Sequence, residues 1–249
     1  MNLEAKRELD YSVYAGELFD LTHKDNDAYW EMVDSLLHWI PKFDLGPEPR
    51  ILDLGAGTGN FTLAMHELIP SAKFTHLDMS PQMNEQAKHK YAERGVTVRI
   101  IESLIQTAPL HKNSFDLVVS VNALNTAPPQ GSTIRAIHNW LRPSGSLFLV
   151  DFGRVINTAA WTRYLVARNI RKNGVMYTAK WFARVLESVT QNRKAKRDQK
   201  NGAMWLHSTD ELASIVRDSG FTVLHSESCY RGDSDIVIAQ CEKEAECSS

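Results

Sequence analysis

The chain has 249 residues, of which 43% are hydrophobic and 23% charged, and its formal net charge is −2. This size and composition are typical of one globular α/β domain with some additional structure. The small net charge argues against a nucleic-acid-binding protein, and no apolar run is long enough to span a bilayer. The few cysteines lie late in the chain without metal-like spacing and no apolar signal segment opens it, which favours a cytoplasmic location.

Residues 1–45 are predicted to form a helical lid. Apolar side chains recur at helical spacing in two stretches between residues 8 and 43, which indicates two helices. The segment Leu45-Gly46-Pro47-Glu48-Pro49 then reads as a turn that separates the lid from the next region. His23 lies just after the first of these helices and is interpreted as an exposed loop histidine rather than a base.

The region 46–153 has the pattern of a parallel sheet with helical crossovers, because short apolar runs alternate with amphipathic segments. The predicted strands are residues 50–54, 73–78, 96–101, 115–121 and 146–151. A helix is clearest after the second strand. There Ser80 can cap the helix, Pro81 fills the first helical position and Gly95 ends it.

The remaining residues are predicted to form a helical cap and then complete the sheet. Residues 154–206 are predicted to form two helices, about 157–172 and 178–200. Their many basic residues are interpreted as a helix face exposed to solvent. An anionic substrate or partner is the alternative reading of this basic segment. Residues 207–241 predict a helix over 209–219 and an antiparallel hairpin, formed by 221–224 and 235–239, on the sheet edge. Residues 242–249 form a tail.

A glycine-rich turn follows the first predicted strand, in Asp53-Leu54-Gly55-Ala56-Gly57-Thr58-Gly59. Glycines permit a tight turn and close approach of a ligand, and the helix that follows offers free N–H groups to an anion. Asp78 ends the second strand, where a carboxylate can accept hydrogen bonds from both ribose hydroxyls. Asp53 is placed to face an ammonium group. Together these features suit S-adenosylmethionine (SAM) better than a dinucleotide.

At these residues the sequence resembles the class I SAM-dependent methyltransferases. The resemblance covers residues 50–152 closely and 205–240 more loosely. It rests on the segments Ile51-Leu52-Asp53-Leu54-Gly55-Ala56-Gly57-Thr58-Gly59, Leu77-Asp78-Met79-Ser80, Ser114-Phe115-Asp116-Leu117-Val118-Val119-Ser120 and Leu141-Arg142-Pro143-Ser144-Gly145. It implies a doubly wound, seven-stranded, mostly parallel sheet whose last strand is antiparallel.

The same resemblance implies a set of cofactor contacts. Gly55, Ala56, Gly57 and Gly59 would hold the methionine part of SAM, Asp78 its ribose and Met79 one face of its adenine. Many relatives have a Gly-Asp pair after the third strand, where this chain has Ser103 and Leu104. The adenine edge is therefore expected to be held by Ser103 and backbone groups.

Candidate catalytic residues come from the fourth strand, the lid and the cap. Val121 and Asn122 are expected to border the cofactor, and Asn125 the substrate, although both asparagines equally fit turn caps. The resemblance implies an aromatic lid contact at Tyr14, with Tyr11 as a further contact or a packing residue. Tyr177 lies near the break between the cap helices, where its side chain could reach the pocket. No zinc or hydrolase motif is present.

These observations leave three functions open. The leading one is methyl transfer from SAM to oxygen or nitrogen of a small molecule in specialised metabolism. Because no catalytic base is evident, the second is intramolecular cyclisation of SAM, which releases methylthioadenosine and a cyclic amino acid such as azetidine-2-carboxylate. The third is SAM binding without catalysis, by a protein that contacts a partner. The expected ligand is a small molecule, with no nucleic acid and no membrane, and a homodimer is left open.

Overall fold

The structure is a computed structural model that describes residues 17–127, 129–201 and 204–242, without the side chains of Glu17 and of residues 186–196, 198 and 199. Tyr11 and Tyr14 lie outside the described residues. The helices are α1 (Glu17–His23), α2 (Asp27–Trp39), α3 (Asn60–Leu68), α4 (Pro81–Arg94), α5 (Gln130–Trp140), α6 (Thr158–Lys200) and α7 (Thr209–Asp218).

Seven strands form one sheet. They are β1 (Arg50–Leu54), β2 (Lys73–Asp78), β3 (Val98–Glu102), β4 (Phe115–Val121), β5 (Leu141–Phe152), β6 (Phe221–Cys229) and β7 (Ser234–Cys241). Their order is β3-β2-β1-β4-β5-β7-β6, and β7 runs antiparallel to both β5 and β6. The doubly wound, mostly parallel sheet predicted from the sequence is therefore confirmed.

Each face of the sheet carries its own hydrophobic core, as expected for strands buried on both sides. On one face, α2 and α3 pack on strand residues such as Ile51 and Phe148. On the other face, α5 and α7 pack on residues such as Leu52 and Leu149. Ser208 and Glu211 form a reciprocal capping box that begins α7, so the predicted helix start is correct.

Several strand boundaries differ from the prediction. β3 begins at Val98, two residues later than predicted. β5 begins at Leu141 rather than at residue 146, because Leu141 pairs with Phe115 before the register shifts. In the final hairpin, β6 ends at Cys229 and β7 begins at Ser234, so both strands are longer than predicted. β7 lies inside the sheet, and β6 forms its edge.

The N-terminal helices and α6 are joined by polar contacts. Lys172 of α6 forms an ion pair with the buried Asp25 at 2.5 Å, and Arg168 pairs with Asp27. Helix α6 is interrupted at Gly174, whose φ of 81° and ψ of 168° are not helical, so the two predicted cap helices meet there. Among the described residues, no helix is long and apolar enough to cross a membrane.

Candidate active site

The glycine-rich turn connects β1 to α3 with three residues at positive φ. Gly55 (71°), Gly57 (55°) and Gly59 (78°) adopt the left-handed conformation that favours glycine. A Cβ on Gly55 would overlap that of Ala123, and one on Gly59 would overlap the Tyr91 hydroxyl. A Cβ on Gly57 would meet nothing within 4 Å. The turn is therefore packed against the protein at both ends and open at its middle.

Asp78 is joined to this turn by a hydrogen bond. The backbone N–H of Gly57 donates to its Oδ2 at 2.9 Å, and that of Ser80 donates to its Oδ1 at 2.8 Å. Burial raises the pKa of the carboxyl, while these backbone donors oppose the rise. Each oxygen retains a further lone pair, so Asp78 can still accept hydrogen bonds from a ligand.

Asp53 lies inside the protein rather than on the open side of the turn. Its side chain is buried on the α3 face of the sheet, where the Thr62 hydroxyl donates to Oδ2 at 2.7 Å. Burial raises the pKa of Asp53 to about 7. The sequence placed this carboxylate opposite a ligand ammonium group, whereas the structure shows it bonded to α3.

The predicted adenine contacts follow β2 and β3. Met79 and Leu104 are exposed apolar side chains, with 38% and 49% of their surface accessible. Ser103 is held by its backbone N–H, which donates to the Asp78 carbonyl at 3.3 Å, and its hydroxyl donates to the Leu104 carbonyl at 3.0 Å. The β2 and β3 ends are thus adjacent. We call Gly55–Gly59, Asp78–Ser80 and Ser103–Leu104 the cofactor edge.

The residues after β4 lie beside the end of β5. Val121 is half-buried. Asn122 has a φ of 54°, its N–H donates to the Val150 carbonyl at 2.8 Å, and its Oδ1 accepts from the Ser234 hydroxyl at 3.1 Å. Asn125 is buried, and its carbonyl accepts from the Trp205 N–H at 3.0 Å. Both asparagines therefore form structural hydrogen bonds, and Oδ1 of Asn125 has no partner among the described residues.

A buried histidine–aspartate pair, which the sequence analysis did not identify, lies next to these residues. Nδ1 of His207 is 3.2 Å from Oδ2 of Asp235, and the two side chains are 1% and 0% exposed. Arg154 and the Thr209 hydroxyl also bind Asp235. The Ser208 carbonyl is the other neighbour of Nδ1, at 3.2 Å. Because both neighbours accept, Nδ1 carries the proton, and a neutral ring then has its lone pair on Nε2.

Seven buried side-chain polar atoms lack a hydrogen-bond partner among the described residues, and four of them lie in this region. These four are Ser120 Oγ, Asn125 Oδ1, Asp151 Oδ2 and His207 Nε2. Asp151 faces Asp235 in the pairing of β5 with β7, and burial raises its pKa well above the usual range. We call Asn122–Asn125, Asp151–Arg154, Trp205–His207 and Asp235 the acceptor edge.

The lid contacts the cofactor edge through Asp20 of α1. Its carboxylate accepts from the Thr58 hydroxyl at 2.7 Å and the Asn60 amide at 3.1 Å, and it pairs with Lys90 at 2.9 Å. A cavity of about 380 Å³ lies beside it. Its lining includes Asp20, His23, Trp30, Asn60, Lys90 and Arg184.

His23 packs inside the N-terminal helices, whereas Tyr177 is exposed. The prediction of an exposed loop histidine at His23 was wrong, because α1 continues through this residue and packs its ring on Tyr29. Its Nδ1–H donates to the Phe19 carbonyl at 2.8 Å, and burial lowers its pKa to about 4. Tyr177 follows the break at Gly174 and is 37% exposed.

Comparison with known proteins identifies the central region. Residues 51–145 match the model of a family described as "Methyltransferase domain". Together with the sheet order and the glycine turn, this match identifies residues 51–145 as a class I SAM-dependent methyltransferase domain. SAM is the cofactor of this family, and the cofactor edge lies within or directly beside the matched residues.

Relatives of this methyltransferase domain include enzymes of quinone synthesis. A ubiquinone/menaquinone biosynthesis C-methyltransferase (UbiE) of Desulfotalea psychrophila is 26% identical over 177 residues, which are 71% of this chain and 67% of the relative. A demethylmenaquinone methyltransferase of Thermus thermophilus is 30% identical over 128 residues, 51% of this chain and 55% of that protein. The chain thus spans about half to two thirds of these relatives' length.

The fold of the whole chain also has a close counterpart. The crystal structure of a putative S-adenosyl-L-methionine-dependent methyltransferase from Methanococcus maripaludis aligns with a TM-score of 0.59 and 16% identity. The alignment covers 97% of each chain. At this identity the likeness concerns the fold alone.

Proposed function

We propose that this protein transfers the methyl group of SAM to a small-molecule acceptor. The observation that carries the proposal is the cofactor edge, where Gly57 and Asp78 are joined by a hydrogen bond and the middle of the glycine turn is open. SAM supplies a methyl group activated by its sulfonium. The protein's task is to align the acceptor with that group and to exclude water, and alignment contributes most of the rate in such displacements.

The residues of the cofactor edge fit the parts of SAM. The open turn and the first N–H groups of α3 suit the methionine carboxylate, because helix N-termini favour anions. Both oxygens of Asp78 can accept from ribose hydroxyls, and Met79 and Leu104 offer apolar surface to adenine. We propose that α1–α2 and α6 act as lid and cap over the two edges, as the domain boundaries at residues 45, 153 and 206 predict.

We further propose that His207 is the general base for the acceptor. Asp235 accepts from Nδ1 and fixes the ring, so that Nε2 can take a proton from the group to be methylated. Asn125 and Asp151 supply the further polar atoms that lack partners among the described residues, and these suit a hydroxyl or carbonyl of the acceptor. His207 would thus supply the catalytic base that was not evident from the sequence.

The names of the relatives favour a carbon acceptor. Two of them are named for methyl transfer in quinone synthesis, and one of these is named as a C-methyltransferase. We therefore propose a quinol-type ring carbon next to an ionisable hydroxyl, ahead of the O- or N-methylation expected from the sequence. Deprotonation of that hydroxyl by His207 would make the ring carbon nucleophilic, so that the new C–CH3 bond forms as the S–CH3 bond of SAM breaks. Loss of the proton from the methylated carbon and return of a proton to the oxygen would then restore the aromatic ring.

Mass spectrometry of the purified protein with SAM tests this function. With SAM and a demethylated quinol, we expect S-adenosylhomocysteine and a C-methylated product, and with SAM alone we expect intact SAM. Methylthioadenosine and a new amino acid from SAM alone would identify a cyclase instead. Tight SAM binding without turnover of any acceptor class would favour the non-catalytic alternative.

The variant His207→Asn tests the base. The Asn amide can replace Nδ1–H as the donor to Asp235 but has no counterpart of Nε2. We expect kcat to fall by about 10²–10⁴-fold with the SAM Kd unchanged. His225→Asn is the matched control, since His225 lies on the exposed edge strand. A wild-type kcat in His207→Asn would exclude the base.

A further inference from the structure

The break in α6 presents apolar side chains to solvent. Residues 170–177, which we call the cap tip, include Ile170, Val175, Met176 and Tyr177, with 40%, 67%, 79% and 37% of their surfaces exposed. A Cβ on Gly174 would meet nothing within 4 Å, so the turn projects away from the fold. Single exposed apolar residues are ordinary, but a contiguous group at a projecting turn is typical of an interaction site.

The segment that contains the cap tip carries charges of one sign. The sequence from Thr158 to Val185 contains no Asp or Glu. Its cations are Arg163, Arg168, Arg171, Lys172, Lys180 and Arg184. Arg168 and Lys172 bind aspartates of the lid, whereas Arg171 and Lys180 are exposed and form no ion pair within the described part of the chain. Exposed cations therefore flank the apolar residues on both sides.

The base of the cap tip is held in place. The buried carboxylate of Asp25 binds Lys172 at 2.5 Å and accepts from the Asn173 amide at 3.1 Å. The Thr178 hydroxyl donates to the Gly174 carbonyl at 2.8 Å, and the Trp181 indole N–H donates to the Leu21 carbonyl at 3.2 Å. These contacts fix both sides of the turn, so Val175 and Met176 stay exposed.

We propose that the cap tip docks this protein on an anionic lipid surface. Val175 and Met176 enter the region between headgroups and acyl chains, while Arg171 and Lys180 lie against the negative headgroups. Tyr177 then lies at the level of the headgroups, where amphipathic rings are favoured. The association is peripheral and needs no spanning helix. It departs from the sequence expectation of no membrane partner and goes beyond the proposed methyl transfer.

Sedimentation of the full chain with vesicles tests the docking. We expect binding to vesicles of phosphatidylglycerol and phosphatidylcholine, weaker binding in high salt, and little binding to phosphatidylcholine alone. The double variant Val175→Asp with Met176→Asp should bind the mixed vesicles at least about tenfold more weakly, because its apolar contact is lost. Arg171→Glu with Lys180→Glu should weaken binding similarly.

Leu224→Asp is the matched control, because Leu224 is also an exposed apolar residue but lies on β6. It should bind vesicles like the wild type, and all variants should retain the SAM affinity of the wild type. Failure of the wild type to bind the mixed vesicles, or equal binding by the Val175/Met176 variant, would overturn the proposal. A wild-type dimer that this variant converts to a monomer would assign the cap tip to a second copy of the chain instead.

Discussion

The cofactor edge and the acceptor edge lie side by side at the carboxyl ends of the same sheet, yet they are built differently. At the cofactor edge, backbone groups satisfy the polar side chains, as Gly57 and Ser80 do for Asp78. At the acceptor edge, side chains from distant segments meet one another, as His207 and Asp235 do. The first edge is thus held by backbone donors, and the second by contacts between side chains.

The two edges also differ in what they leave unsatisfied. Beneath the acceptor edge, four buried polar atoms of the described residues have no hydrogen-bond partner. Native proteins leave few such atoms without a ligand or an ordered water. The cofactor edge is complete without its ligand, whereas the acceptor edge needs another group to complete it. This difference suits one edge that binds an invariant cofactor and another that receives a specific acceptor.

The largest expected effect is the loss of stability on removing Asp235. Asp235→Ala leaves Arg154 and the buried His207 without their carboxylate, and breaking a buried charged network costs about 3–5 kcal/mol. Urea unfolding at neutral pH measures this change. Glu227→Ala is the control on the adjacent strand, where the exposed pair with His225 contributes about 0–1 kcal/mol. Equal losses in the two variants would mean that the acceptor edge is not a coupled network.

A smaller effect is expected from the glycine turn, and it should depend on position. Gly55→Ala combines positive φ with overlap against Ala123, and such strain and overpacking together cost about 3 kcal/mol. Gly57→Ala has the same sign of φ but open space, so its cost is about 1–2 kcal/mol. Urea unfolding separates the two. The open side of Gly57 is the proposed SAM contact. Calorimetry should therefore show that Gly57→Ala reduces the free energy of SAM binding by more than it reduces the free energy of unfolding.

The same contrast explains what the sequence could predict. The cofactor edge is encoded in two short segments, with Gly55, Gly57 and Gly59 in one and Asp78 in the other, so its location followed from motif and spacing. His207 and Asp235 belong to no shared motif: the His207 N–H donates to the Gly153 carbonyl just after β5, and β5 pairs with β7, which carries Asp235. A histidine directly before the capping box of α7 was the one local signal, and by itself it indicates no partner.

Details of side-chain direction were also beyond the sequence. Asp53 is adjacent to the glycine turn in the chain, but the alternation of β1 directs it toward Thr62 and away from the open side. His23 was assigned to a loop because no residue after it signals how far α1 extends. Both outcomes depend on packing between elements rather than on local pattern.

The third prediction concerns the pH dependence of stability at Asp53, which lies buried beside the cofactor edge. Burial raises the pKa of Asp53 in the folded protein to about 7, above its value in the unfolded chain. The folded state therefore binds the Asp53 proton more tightly than the unfolded state does. The stability that this proton binding contributes is fully present at low pH and is lost as pH rises from about 4 through about 7. We expect Asp53→Asn to remove this loss, because Asn can still accept from Thr62 and never ionises.

Urea unfolding of wild type and Asp53→Asn at a series of pH values isolates that contribution. The pKa values of His23 and His76 are lowered to about 4 by burial, so these residues reduce stability as pH falls, but they do so equally in both proteins. The difference in free energy of unfolding should therefore grow in favour of the variant by about 1 kcal/mol or more between pH 5 and pH 8. A constant difference across this range would mean that Asp53 is ionised throughout. It would then be available to the ligand ammonium group that the sequence first suggested, and the cofactor edge would resemble the acceptor edge in awaiting its ligand.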